Sequence, residues 1–315
     1  MAISRLRSIF VRRQRTRESG KNSEEKTLTP SPFIVGVGRS GTTMLRLMLD
    51  AHPDLAIPPE THFLPQAALA CERAPDPRQA FLETVRSNNP RWGDYHIEGD
   101  LLARRIAAIE PFNLSEAARA FYGLYAEKFG KRRWGDKTPH YLRKMELIQS
   151  LLPEARFIHL IRDGRDVAMS AKGLSFGHDT IEGAARQWRS WIKKARSQSQ
   201  NLHFYLEVRY EDLVLNTEST LKKVVDFIDL PWNTNMLDYH ATAKKRISEI
   251  HRDILTPSGE ALIRGQERKA MHSLTSEPPR HDRIGRWKSE MTHADRERFE
   301  EIASKMLRDL GYEIG

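Results

Sequence analysis

The chain has 315 residues, 39% hydrophobic and 30% charged, with 18 glycines and 16 prolines, a composition that supports a sizeable core and excludes collagen-like, mucin-like and wholly disordered chains. Its single cysteine, Cys71, excludes an internal disulfide and a cysteine-rich zinc site, and favours a reducing compartment. The net charge of +9 does not call for a nucleic-acid partner, because residues 1–21 hold Arg5, Arg7, Arg12, Arg13, Arg15, Arg17 and Lys21 against Glu18 alone and carry most of the excess.

Residues 1–31 read as a flexible basic N-terminal arm, ending at Pro30, ahead of a single domain over 32–315. Ile3, Leu6, Ile9 and Phe10 interleaved with arginines are also compatible with a short amphipathic helix making weak peripheral contact with an anionic membrane. No apolar run reaches the ~18 residues of a membrane span, and the opening segment lacks the apolar core of a signal peptide, so a cytoplasmic location is expected.

The first strand is predicted at Phe33–Val37 and the first helix at Thr43–His52, with Met44, Leu45, Met48 and Leu49 on helical spacing. A short strand follows at Leu55–Ile57, then helices at 98–109 and 115–129. A second full strand at Ala155–Ile161 leads through a polar turn into a helix from about Asp166. After a helix over 181–197 with core tryptophans, a third strand at 202–208 precedes a helix carrying Leu221, Val224, Val225 and Ile228. Residues 255–285, with six glycines and prolines, are predicted to be irregular. A last helix opens on the capping box of Thr292 and Asp295, is striped by Phe299, Ile302, Met306 and Leu310, and stops at Gly311. Strands alternating with helices imply an α/β fold: a parallel sheet flanked by helices, with a P-loop-like strand, loop and helix that binds phosphate.

That loop is Gly36-Val37-Gly38-Arg39-Ser40-Gly41-Thr42-Thr43. It matches the phosphate-binding pattern of nucleotide triphosphatases except that Thr42 stands in the lysine position. Backbone N–H groups at a helix N-terminus still favour an anion there, but the cation that reaches the outer phosphates is missing. Magnesium would need a strand-end carboxylate, and the candidate, Asp163, is flanked by Arg162 and Arg165. A kinase using ATP is therefore a secondary reading, as is a non-catalytic protein that binds a nucleotide or anion. The run Arg162 to Asp166, with Ser170 about two turns into the next helix, forms a second anion signature at the carboxyl end of a parallel strand.

Taken together these motifs resemble the sulfotransferases that use 3′-phosphoadenosine 5′-phosphosulfate, and most closely the tyrosylprotein sulfotransferase branch. The resemblance covers most of residues 33–290 and is carried by Arg39 to Thr43, Leu49-Asp50-Ala51-His52-Pro53, Pro59-Glu60-Thr61, Tyr210-Glu211-Asp212-Leu213 and Arg286-Trp287-Lys288. It implies that Arg39, Ser40, Gly41, Thr42 and Thr43 bind the 5′-phosphosulfate, that Arg162 and Ser170 bind the 3′-phosphate, and that Tyr210 and Arg286 complete the cofactor site. Adenosine 3′,5′-bisphosphate would be the product, with no metal required because the leaving group is already a phosphate.

Sulfuryl transfer needs in-line attack by a hydroxyl or amine, a base for its proton and donors for the charge that develops. The resemblance makes Glu60 the base, with His62 as a rival, and gives Lys137 the bridging oxygen of the breaking bond. Arg39 joins them as a catalytic candidate. Pro139 lies two residues beyond Lys137, while Asp136 and His140 are candidate orienting neighbours. A base near neutrality needs a pKa raised by burial or a carboxylate poised by hydrogen bonds. The acceptor stays open among glycan, lipid, small molecule and peptide.

Overall fold

The computed structural model describes residues 28–175, 177–250, 252–256 and 258–314. Residues 1–27 of the expected arm, including the amphipathic segment considered for them, lie outside the described residues.

Four parallel strands form the central sheet: β1 (Ser31–Gly36), β2 (Asp136–Lys137), β3 (Ala155–Ile161) and β4 (Tyr205–Arg209), in the order β2-β1-β3-β4. All six residues of β1 are buried, as expected for an inner strand covered on both faces. Alternation then sorts its side chains: Phe33 and Val35 join Phe121, Tyr122 and Phe157 on one face, while Ile34 joins Leu45, Met48 and Leu221 on the other. A third cluster of Trp188, Ile192, Phe299, Ala303 and Leu307 lies between two long helices.

Two of the helices begin where strands end. Helix α1 (Thr42–Asp50) follows β1, α2 (Gly164–Ala171) follows β3, and α3 (Ile181–Gln198) and α4 (His293–Asp309) pack against each other. Thr292 caps α4 by accepting from the Asp295 N–H at 3.1 Å. Phe299 is buried as predicted, but the line continues through Ala303 and Leu307, while the predicted Ile302, Met306 and Leu310 are only partly covered.

Two expectations are corrected. The predicted strands numbered three long ones, but Asp136–Lys137 pairs with Phe33 and Ile34 and so adds an edge strand to the sheet. Two residues give no periodicity to read. Residues 255–285 are not irregular throughout: Ile254–Leu255 pairs antiparallel with Ala261–Ile263, and Gly265–Met271 is helical. Among the described residues no helix is long and apolar enough to cross a membrane.

Candidate active site

A cavity of about 320 Å³ opens at the carboxyl ends of the strands, and its wall draws on residues from Gly38 to Arg286. The loop after β1 makes its floor. Gly41 sits at φ 89°, and a Cβ there would lie 2.5 Å from the Tyr210 ring, so only glycine lets the chain turn into α1 under that tyrosine. Gly38 has open space where a Cβ would be, which leaves room for a ligand to approach the backbone. Gly38, Arg39, Gly41, Thr42 and Thr43 line the cavity, whereas Ser40 is buried with no hydrogen-bond partner for its hydroxyl.

The cation absent from the loop arrives from the neighbouring strand. Register with Ile34 places Lys137 beside the loop, where its Nζ donates to Thr43 Oγ1 at 3.3 Å and to Glu60 Oε1 at 2.8 Å. Lys137 is buried, and burial lowers its pKa despite the nearby carboxylate. Glu60 is reached from the other oxygen by His62, whose Nε2 lies 2.9 Å from Oε2. Burial alone would raise the Glu60 carboxyl, but the Lys137 ammonium and His62 outweigh it and hold it well below its ordinary value. Glu60 is thus a carboxylate hydrogen-bonded on both oxygens, with its pKa lowered and not raised.

The backbone around Glu60 is fixed from below. Tyr95 OH donates to Glu60 O at 3.1 Å, the Thr61 N–H donates to Thr138 Oγ1 at 2.9 Å, and Thr61 Oγ1 donates to Asp136 Oδ2 at 2.6 Å. Asp136 also accepts from Tyr122 OH at 2.9 Å, and burial pushes its carboxyl up to about 6. Asp136 therefore orients Thr61 and its neighbour Glu60 without facing the cavity. His140 does face it, with its ring 5.5 Å from that of His62. His62 itself holds φ 57°, an uncommon conformation for a side chain other than glycine, and stands behind Glu60.

The second anion signature divides. Arg165 is consumed by structure: it pairs with Asp163 and Glu300 and stacks on Trp287 at 3.5 Å. Asp163 spends both oxygens on Arg165, which removes the carboxylate that magnesium would need. Arg162 remains for the cavity. It lies over the Tyr210 ring at 4.4 Å, donates to Arg39 O and Arg283 O, and keeps a buried Nε without a partner. Tyr210, Ser170 and Arg286 line the same space.

Arg39 is placed with this group and not with the acid–base pair. Its Nε donates to Ser170 Oγ at 3.2 Å and its Nη1 to Met271 O at 3.3 Å, so the side chain bridges the first loop to α2. Arg286 is brought to the rim by Asp166, which accepts from the Gly285 and Trp287 N–H groups at 2.8 and 3.0 Å. Its guanidinium is there held by Glu290 at 2.5–2.7 Å.

Several wall residues escaped the sequence reading: Arg91, His272 and Arg283 have no local motif. His272 is pushed down to about 3 by burial, with Lys137 and Arg39 adding to the effect, and so presents a neutral ring. The composition of residues 255–285, rich in basic residues between turn formers, was the one available hint.

Glu60 is the only carboxylate among the described residues that line this strongly basic cavity. Such a surface is suited to a ligand with several negative charges.

Comparison with known proteins agrees with this chemistry. A family model described as the sulfotransferase family matches residues 30–234. Protein-tyrosine sulfotransferase A of Caenorhabditis elegans is 28% identical over 229 residues, covering 70% of this chain and 55% of that protein. Protein-tyrosine sulfotransferase 1 of Danio rerio is 26% identical over 292 residues, covering 90% and 72%. This chain thus spans only about half the length of the worm relative. In fold, it is similar to the sulfotransferase domain of the Synechococcus PCC 7002 olefin synthase, with a TM-score of 0.54, 21% identity and coverage of 95% and 100%. With the family model covering well over half of its residues, the chain belongs to the sulfotransferase family.

Proposed function

We propose that the chain transfers a sulfuryl group from 3′-phosphoadenosine 5′-phosphosulfate to a hydroxyl or amine acceptor. The observation that carries this reading is Lys137: a buried ammonium between Thr43 of the phosphate loop and Glu60 of the opposite wall. A cation there stands between the place for a leaving phosphate and the place for an entering nucleophile, which is what in-line transfer requires.

The residues present fit a doubly phosphorylated nucleotide. Gly41, Thr42 and Thr43 at the α1 N-terminus hold the 5′ end, with Ser40 supporting the turn. Arg162, with its unpartnered Nε, Ser170 and Arg39 take the 3′-phosphate, and Tyr210 and Arg286 close the pocket. Glu60 accepts the acceptor's proton while Lys137 neutralises the leaving oxygen. Arg39, anchored on Ser170, serves binding in this scheme more than chemistry.

The relatives named above make peptide tyrosine one acceptor to screen, beside glycan, lipid and small-molecule hydroxyls. Calorimetry with adenosine 3′,5′-bisphosphate and with ATP plus magnesium tests the donor: binding of the bisphosphate alone is expected, and binding of ATP alone overturns the reading. An acceptor screen with labelled donor then tests transfer.

A further inference from the structure

We propose that Lys137 and Glu60 hold each other idle in the free protein, and that a 5′-phosphate entering the loop at Gly38–Thr43 draws Lys137 away and releases Glu60 as a base. The proposal rests on the donor assignment above.

Both oxygens of Glu60 are occupied: Oε1 by Lys137 at 2.8 Å and Oε2 by His62 at 2.9 Å. A carboxylate whose charged form is stabilised twice is a poor proton acceptor. Lys137 in turn has two places to go. Its second contact, Thr43 Oγ1, belongs to the first turn of α1, where the helix dipole and free N–H groups gather an anion. A phosphate there carries more charge than Glu60, the sole carboxylate lining the cavity among the described residues. The buried ammonium needs only a short change of partner to follow it.

When Lys137 leaves, Glu60 keeps the His62 contact and stays oriented, while Oε1 is freed toward the space the ammonium held. With Lys137, the strongest influence holding the carboxyl down, withdrawn, and only His62 and Arg91 still opposing burial, the carboxyl rises from its depressed value and strengthens as a base. The acceptor's proton therefore meets a competent base only when the donor is already bound.

The test is a double-mutant cycle read as ligand affinity by calorimetry: wild type, Glu60→Gln, Lys137→Gln and the double variant, each with adenosine 3′,5′-bisphosphate and adenosine 3′-monophosphate. Glu60→Gln removes the competing ion pair, so the bisphosphate should bind about three- to tenfold tighter, whereas the 3′-monophosphate should change less than twofold. In the Lys137→Gln background the tightening should vanish. Tightening of equal size in that background shows simple charge repulsion and overturns the exchange, as does no tightening in the single variant. Lys137→Ala replaces Lys137→Gln if the latter does not fold, as judged by circular dichroism. Failure of the wild-type chain to bind the bisphosphate overturns the donor assignment together with the exchange; binding without coupling overturns the exchange alone.

Discussion

In an Arg162→Ala variant the cavity loses a guanidinium that is 5% exposed and carries a buried Nε with no partner. Arg162 lines the cavity, and the 3′-phosphate is the group assigned to it. A charge-assisted hydrogen bond contributes roughly 1.5–3 kcal/mol, so adenosine 3′,5′-bisphosphate should bind about ten- to a hundredfold more weakly. Arg162 also holds the carbonyls of Arg39 and Arg283, so its removal loosens the pocket for every ligand. Comparing the bisphosphate with 5′-AMP in the same variant cancels that common loss, because only the former has a 3′-phosphate. Calorimetric titrations of both ligands against wild type and variant give the ratio directly. Equal weakening of the two would refute the assignment of Arg162.

Glu60→Gln should lower turnover by about 10²–10⁴-fold and Lys137→Ala by about 10²–10³-fold, measured in single turnovers once an acceptor is identified; near-full activity in either would remove that residue from the chemical step. Because Glu60 is held well below its ordinary 4.5 in the free chain, the acidic limb of kcat/KM for the donor should lie below that pH. With donor saturating and Lys137 displaced, the acidic limb of kcat should lie higher, and coincident limbs would count against the exchange. Gly41→Ala forces φ 89° on a side chain whose Cβ meets Tyr210, and should cost about 2–4 kcal/mol in urea melts; a neutral effect would show that the loop rearranges freely. Burial raises Asp136 from 3.8 to about 6, so its charged form costs stability above pH 6, a cost that fades as pH falls toward 4. Asp136→Asn should therefore shift unfolding stability, read in urea melts, more favourably at pH 8 than at pH 4.5, by up to about 2 kcal/mol of difference, and a pH-independent effect would refute the sign.

What sequence alone revealed depended on how local the signal was. Gly36 to Thr43 spells its own turn, strand β3 is apolar over five of its seven residues, and the Thr292 cap sits directly before its helix; each was legible because the residues that act are neighbours. Glu60 and Lys137 were legible only through resemblance, since nothing local brings them together. Their 2.8 Å contact depends on a two-residue edge strand. The fate of Arg162 and Arg165 was hidden for a similar reason. Three positions apart, one faces the cavity and the other is taken by Glu300 and Trp287, partners more than a hundred residues away. His272 and Arg283 belong to a stretch whose local pattern is weak and whose position is set by distant contacts, Arg268 on Asp94 and Gly285 on Asp166.

Those last contacts have a consequence for how the protein is made. A chain still emerging from the ribosome has the phosphate loop complete at Thr43, yet part of the cavity wall is supplied by Arg283 and Arg286, far later in the sequence. Until Asp166 has caught the Gly285–Trp287 turn, the part of the wall that carries Arg283 and Arg286 is missing. A nascent chain ending at about residue 250 should therefore acquire its sheet before it acquires donor affinity, and a ligand supplied early would have no pocket to stabilise.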